Sequence, residues 1–183
     1  MSSCKCLISL PGVESIKATS ILKRLIKSYG SESAKGTSYM DFERIHPTPA
    51  AIQQQRDTGQ FDHLARRWRR NSEVGWGTNA RGLGPELRRA GGSEPSLFLH
   101  LPELRRGPEP SLFLDCKWSP CVGIVRVLSQ TYSEEPWLIE WFEELTLGPP
   151  GSGFFGYALY RGGNRVVKVK ADHQTPLAAA RQL

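Results

Sequence analysis

The sequence predicts an α+β chain of low overall compactness, with amphipathic helices at the N-terminal end, a poorly ordered Gly/Pro/Arg-rich middle and a small C-terminal β-α-β-β unit. Three observations carry this reading. Apolar residues recur at three- and four-residue steps from Val13 to Tyr29 and again from Gln60 to Arg70. Glycines and prolines crowd Gly75 to Pro110, where the chain cannot bury enough surface to offset its conformational entropy. Turn and cap signals then separate apolar runs from Val122 to Lys170. The implied boundaries are a basic helical region over 1–70, a poorly ordered segment over 71–115, a small α/β unit over 116–172 and a tail over 173–183.

In the first helix Ala18, Ile21, Leu22, Leu25, Ile26 and Tyr29 form the apolar stripe, and Lys17, Lys23, Arg24 and Lys27 lie off it. Pro11-Gly12 precedes it, Gly30 suits its end, and Ser31 to Thr37 read as a linker. The prolines at 47 and 49 hold the next stretch extended before a short helix from Ala50 to Arg56, stopped by Asp57-Thr58-Gly59. Phe61, Leu64, Ala65 and Trp68 stripe the second clear helix, whose last turn is loaded with arginines that suit the helix dipole.

The middle contains a duplication, 85–101 against 102–118. Pro85-Glu-Leu-Arg-Arg89 recurs as Pro102-Glu-Leu-Arg-Arg106, and Glu94-Pro-Ser-Leu-Phe-Leu99 as Glu109-Pro-Ser-Leu-Phe-Leu114. Two copies are too few for a solenoid, and a ribbon of the two Ser-Leu-Phe-Leu segments alone is marginal. In the C-terminal unit, β-branched Val122 to Leu128 reads as a buried strand. Ser133 caps a helix with Trp137, Leu138, Trp141, Phe142 and Leu145 on one face, ended by Gly148-Pro149-Pro150. Phe154 to Tyr160 and Arg165 to Lys170 are strands joined through Gly162-Gly163.

A net charge of +6 attracts polyanions, although net charge alone does not choose a partner. The candidate nucleic-acid contacts are Lys17, Lys23, Arg24, Lys27, Arg66, Arg67, Trp68, Arg69 and Arg70, because arginines beside an aromatic can hold phosphates while the ring stacks on unpaired bases. The five-residue basic cluster also fits a nuclear import signal, or a solvated helix end with Trp68 in a core. A protein partner is the other candidate, docked by the aromatic helix Trp137 to Leu145.

Leu10-Pro11-Gly12-Val13, followed by Ala18 and Ile21-Leu22, resembles the second half of a helix-hairpin-helix motif. The resemblance implies that turn amides and the helix start hold a DNA phosphate without reading sequence. Glu14 stands where that family has its second glycine, and only Met1 to Ser9 are available for the first helix.

The four histidines show no His-Glu-x-x-His spacing, Gly148 to Gly156 lacks the Lys-Ser/Thr of a P-loop, and no Gly-x-Ser-x-Gly elbow exists. No catalytic residue, metal ligand or cofactor is therefore assigned. Cys4/Cys6 and Cys116/Cys121 have one and four residues between them, off the usual zinc knuckle, and read as reduced, structurally incidental thiols. No run of about 18 apolar residues and no secretory segment is present, so the expectation is an intracellular protein without a transmembrane segment. The first thirty residues have five basic side chains against Glu14, as mitochondrial presequences do, so mitochondrial and nuclear placement both stay open.

Two functions compete on these observations. One is a small basic non-enzymatic protein that contacts RNA or DNA. The other is a recently arisen, lineage-specific reading frame, organellar in one version, without an established biochemical activity, as the near-verbatim duplication and uneven middle suggest.

Overall fold

A computed structural model describes residues 3–34, 38–80, 110–117, 119–144 and 153–172. The first strand, β1 (Ser3–Ser9), leads through the Pro11-Gly12 turn into α1 (Ser15–Tyr29). A small ribbon of β2 (Gly30–Glu32) and β3 (Ser38–Met40) follows, where a linker was expected. Short helices α2 (Phe42–Ile45) and α3 (Ala50–Gln53) and a 3-10 turn (Arg56–Thr58) precede α4 (Phe61–Asn71). Strands β4 (Trp76–Ala80) and β5 (Ser111–Lys117), helix α5 (Val122–Thr131) and strands β6 (Trp137–Glu144), β7 (Gly153–Arg161) and β8 (Asn164–Asp172) complete the order.

The fold is mixed α/β, built on an antiparallel six-stranded sheet in the order β4-β5-β1-β6-β7-β8. The N-terminal strand therefore lies inside the sheet, hydrogen-bonded to β5 on one side and β6 on the other. The same thirty residues that carry the presequence-like charge pattern supply this central strand and a packed helix.

Alternation sets the two faces of β1. Cys4, Cys6, Ile8 and Leu10 point into the main core, which also takes Ala18, Leu22 and Leu25 from α1 and Ile124, Val125 and Leu128 from α5. On the opposite face, register brings Phe113, Leu7, Glu140 and Tyr157 into one cross-strand row. Phe113, Glu140 and Tyr157 are buried there as well.

Two C-terminal expectations are exchanged. Val122 to Leu128 is helix, not strand. Val122, Ile124, Val125 and Leu128 are all buried, and a helix enclosed on most sides reads as a continuous apolar run, as a buried strand does. Trp137 to Leu145, expected as a helix that docks a partner, is instead strand β6 over Trp137–Glu144. Trp137, Ile139 and Trp141 alternate onto the main core at 0–2% exposure, so no aromatic helix face exists there to offer a partner. The order from Val122 onward is therefore helix, strand, strand, strand, in place of the expected β-α-β-β unit.

The hairpin-helix resemblance meets a strand instead of a first helix: β1 runs directly into the turn, and Glu14 precedes α1 with no side-chain capping hydrogen bond. The expected poorly ordered middle lies largely outside the described residues, as does the first Ser-Leu-Phe-Leu copy. On either side of it, β4 and β5 are strands of the main sheet, and the second copy, Ser111 to Leu114, belongs to β5. Among the described residues, no helix is long and apolar enough to cross a membrane.

Candidate functional site

The basic cluster occupies the second half of α4. Helical rotation spreads its members around the axis. Arg66, Arg67 and Arg70 are exposed, while Trp68 and Arg69 are half-buried. The Trp68 ring packs against the core and lies 5.2 Å from the His46 ring at a tilt of 54°.

Trp68 and Arg69 also line an open groove of about 290 Å³, together with Tyr39, Phe42 and His46. Two acids, Asp41 and Glu43, stand at the same groove. Asp41 caps α2 by accepting from the Glu43 amide at 3.1 Å. Glu43 accepts from the Thr48 amide and hydroxyl, each at 2.7 Å. Both carboxylates are thus engaged in local structure. Burial lowers the His46 pKa below its ordinary 6.5, Arg126 lowers it further and Glu43 opposes them. The imidazole is therefore held neutral at physiological pH.

The α1 candidates are placed differently. Lys17 makes a 2.7 Å ion pair with Glu135, and that hydrogen bond raises its pKa. Lys23, Arg24 and Lys27 are exposed along the helix. The nine sequence candidates therefore fall on two helices, and of them Trp68 and Arg69 of α4 line the groove.

A second constellation is made by the cysteines that the sequence reads as structurally incidental thiols. All four cysteines converge beneath the helices, each at 0–1% exposure. Cys4 faces Cys116 across the β1–β5 ladder, and Cys6 shares the Cys4 face two residues on. Cys121 stands at the N-cap of α5. The Cys4 and Cys6 sulfurs are 4.0 Å apart, and those of Cys6 and Cys116 3.8 Å. The sulfurs of Cys6, Cys116 and Cys121 all lie within 4.8 Å of one another. Burial pushes the Cys6 thiol up, but hydrogen bonding with Cys116, Cys121 and Cys4 outweighs it and holds Cys6 well below the ordinary thiol range. Hydrogen bonding with Cys6, followed by burial, raises Cys4; hydrogen bonding with Cys121 and Cys6, followed by burial, raises Cys116. The available signal was Cys-x-Cys, a spacing that puts both thiols on one face only if the segment is a strand.

No protein-family model, curated protein or solved structure matches this chain.

Proposed function

We propose that the protein is a small, basic, non-enzymatic binding protein that takes single-stranded RNA or DNA along α4 and the adjoining groove. One observation carries the reading: Trp68 and Arg69 line an open groove beside Tyr39 and His46, while Arg66, Arg67 and Arg70 of the same helix are exposed. Aromatic rings beside cations suit unpaired bases and the phosphates that join them. A duplex presents no free base faces and would meet only the arginines. The exposed cations of α1 add to the positive field that draws a polyanion in.

The test is a titration of labelled single- and double-stranded oligonucleotides against the full chain at two salt concentrations. Binding should be tighter for the single strand and fall steeply as salt rises, because phosphate contacts release counterions. Trp68→Ala should weaken the single-strand complex about 5- to 100-fold, the range of one lost stacking contact. Absence of binding at low salt, or affinity unchanged when Arg66, Arg67, Arg69 and Arg70 all become Gln, sinks the reading.

A further inference from the structure

We propose that Cys4, Cys6, Cys116 and Cys121 form a structural site for a thiophilic divalent cation of the zinc type, which fastens β1 to β5 and to the start of α5.

The geometry supplies the first argument. Sulfurs set tetrahedrally around zinc at about 2.3 Å lie about 3.8 Å from one another. The Cys6–Cys116 separation is 3.8 Å and the Cys4–Cys6 separation 4.0 Å. Cys121 completes a triangle with Cys6 and Cys116, no edge of which exceeds 4.8 Å. A shift of up to about 1 Å, within the reach of a χ1 adjustment, brings these three sulfurs to ligating distance, and Cys4, beside Cys6, is the candidate fourth ligand.

Chemistry supplies the second. Among the described residues the group of potential ligands within 4.8 Å of one another is three thiols, Cys6, Cys116 and Cys121, with the Cys4 thiol next to Cys6, and a sulfur donor set selects zinc and other soft ions over magnesium or calcium. Binding displaces thiol protons to solvent, one for each thiolate formed, and no electron is transferred.

Topology supplies the third. Structural zinc sites are closed, with every ligand from protein. Here the ligands come from two neighbouring strands and a helix cap, rigid elements that hold their relative positions. Cys6 and Cys116 are 110 residues apart, so the ion would close a very long loop. Because the sulfurs are buried, the ion would load as the chain folds and leave only when the region opens.

The test uses the full chain, reduced and refolded without metal, and titrated with Co²⁺ as a spectroscopic stand-in for Zn²⁺. The expected result is a sulfur-to-cobalt charge-transfer band and tetrahedral ligand-field absorption, both saturating at one ion per chain and bleached by one equivalent of Zn²⁺. Native mass spectrometry of the zinc-loaded chain should show a single ion with two to four protons lost. Cys121→Ser, which leaves the strand ladder intact, should weaken Co²⁺ binding at least tenfold and shift the charge-transfer band. The proposal is overturned if the reduced wild-type chain develops no charge-transfer band under stoichiometric Co²⁺. It is equally overturned if the band forms unchanged in Cys121→Ser and in Cys6→Ser, which would place the metal elsewhere.

Discussion

A Cβ added to Gly123 would sit 2.0 Å from the carbonyl oxygen of Ser72. The Gly123 amide also donates to the Glu73 carbonyl at 2.8 Å, so the end of α4 and the start of α5 meet backbone to backbone. This close approach ties the helix that carries the arginines to the helix that covers the sheet.

Gly123→Ala should therefore destabilise the fold. The neighbouring atom is backbone and cannot swing aside, so one of the two chains must move. The cost should be about 1–3 kcal/mol or more, in the range of overpacked core sites. Urea denaturation of the variant should show a lower midpoint with an unchanged slope. A midpoint equal to wild type would mean that the two backbones are not in contact.

The two core tryptophans of β6 should respond differently to substitution. Trp137 donates its indole N–H to the Tyr132 carbonyl at 3.4 Å, whereas the Trp141 N–H is buried with no acceptor among the described residues. Trp141 lies over Gly156, its cross-strand partner, where an added Cβ would come within 2.2 Å of the ring. Either Trp→Ala change should cost about 3–5 kcal/mol through the cavity it leaves. Replacement by Phe separates the two: Trp141→Phe removes an unsatisfied donor and should cost about 1–2 kcal/mol less than Trp137→Phe. Equal losses for the two Phe variants would argue that Trp141 has an acceptor.

These tryptophans also mark where the sequence was ambiguous. A separation of four residues fits one face of a helix and one face of a strand alike. Only the intervening residues decide, and Leu138, Glu140 and Phe142 are themselves covered on the second face of the sheet, so the expected alternation of apolar and polar residues is missing. Helix α5 reads as a strand for a related reason: Val122 to Val125 are all buried, and only Arg126 and Gln130 face solvent within its middle. Patterns were readable where one side met water. The stripe of Ala18, Ile21, Leu22 and Leu25 is buried while Lys23, Arg24 and Lys27 are exposed. Gly162 and Gly163 have φ of +57° and +79°, as a tight hairpin turn between β7 and β8 requires. At the candidate sites, the arginine run was visible as composition. The groove was not, because it depends on α4 packing beside the Tyr39–His46 segment, and neither was the convergence of Cys4 and Cys6 with Cys116 and Cys121, which depends on β1 lying beside β5.

His46 should make stability depend on pH. Its folded-state pKa lies below the ordinary 6.5, chiefly through burial. Between the two values the unfolded chain binds the proton more readily, so protonation favours unfolding. The contribution is present above about pH 6.5 and is lost as pH falls through the lowered folded-state value. Thermal melts from pH 7.5 to 5 should show a decline that His46→Gln makes shallower. If both proteins follow the same curve, His46 is as solvated in the folded chain as in the unfolded one.

The last prediction separates the two basic helices. Each phosphate neutralised by a cation steepens the dependence of log affinity on log salt by about 0.7 for a single strand. If the α4 group makes direct phosphate contacts, Arg66, Arg67 and Arg70 changed together to Gln should flatten the slope by about 2 and weaken binding in proportion. Changing Lys23, Arg24 and Lys27 together to Gln removes the same formal charge from α1, away from the groove lined by Trp68 and Arg69. Those cations act through the long-range field, so this triple variant should slow association while flattening the slope by less than about 1. Stopped-flow association and equilibrium titration on the same two variants measure both quantities. Lys17 is left out of the α1 set because its ion pair with Glu135 links α1 to the turn after α5, and losing it would confound stability with binding. Should the α1 variant lose more slope than the α4 variant, the nucleic acid lies along α1 and the groove beside Trp68 serves another purpose.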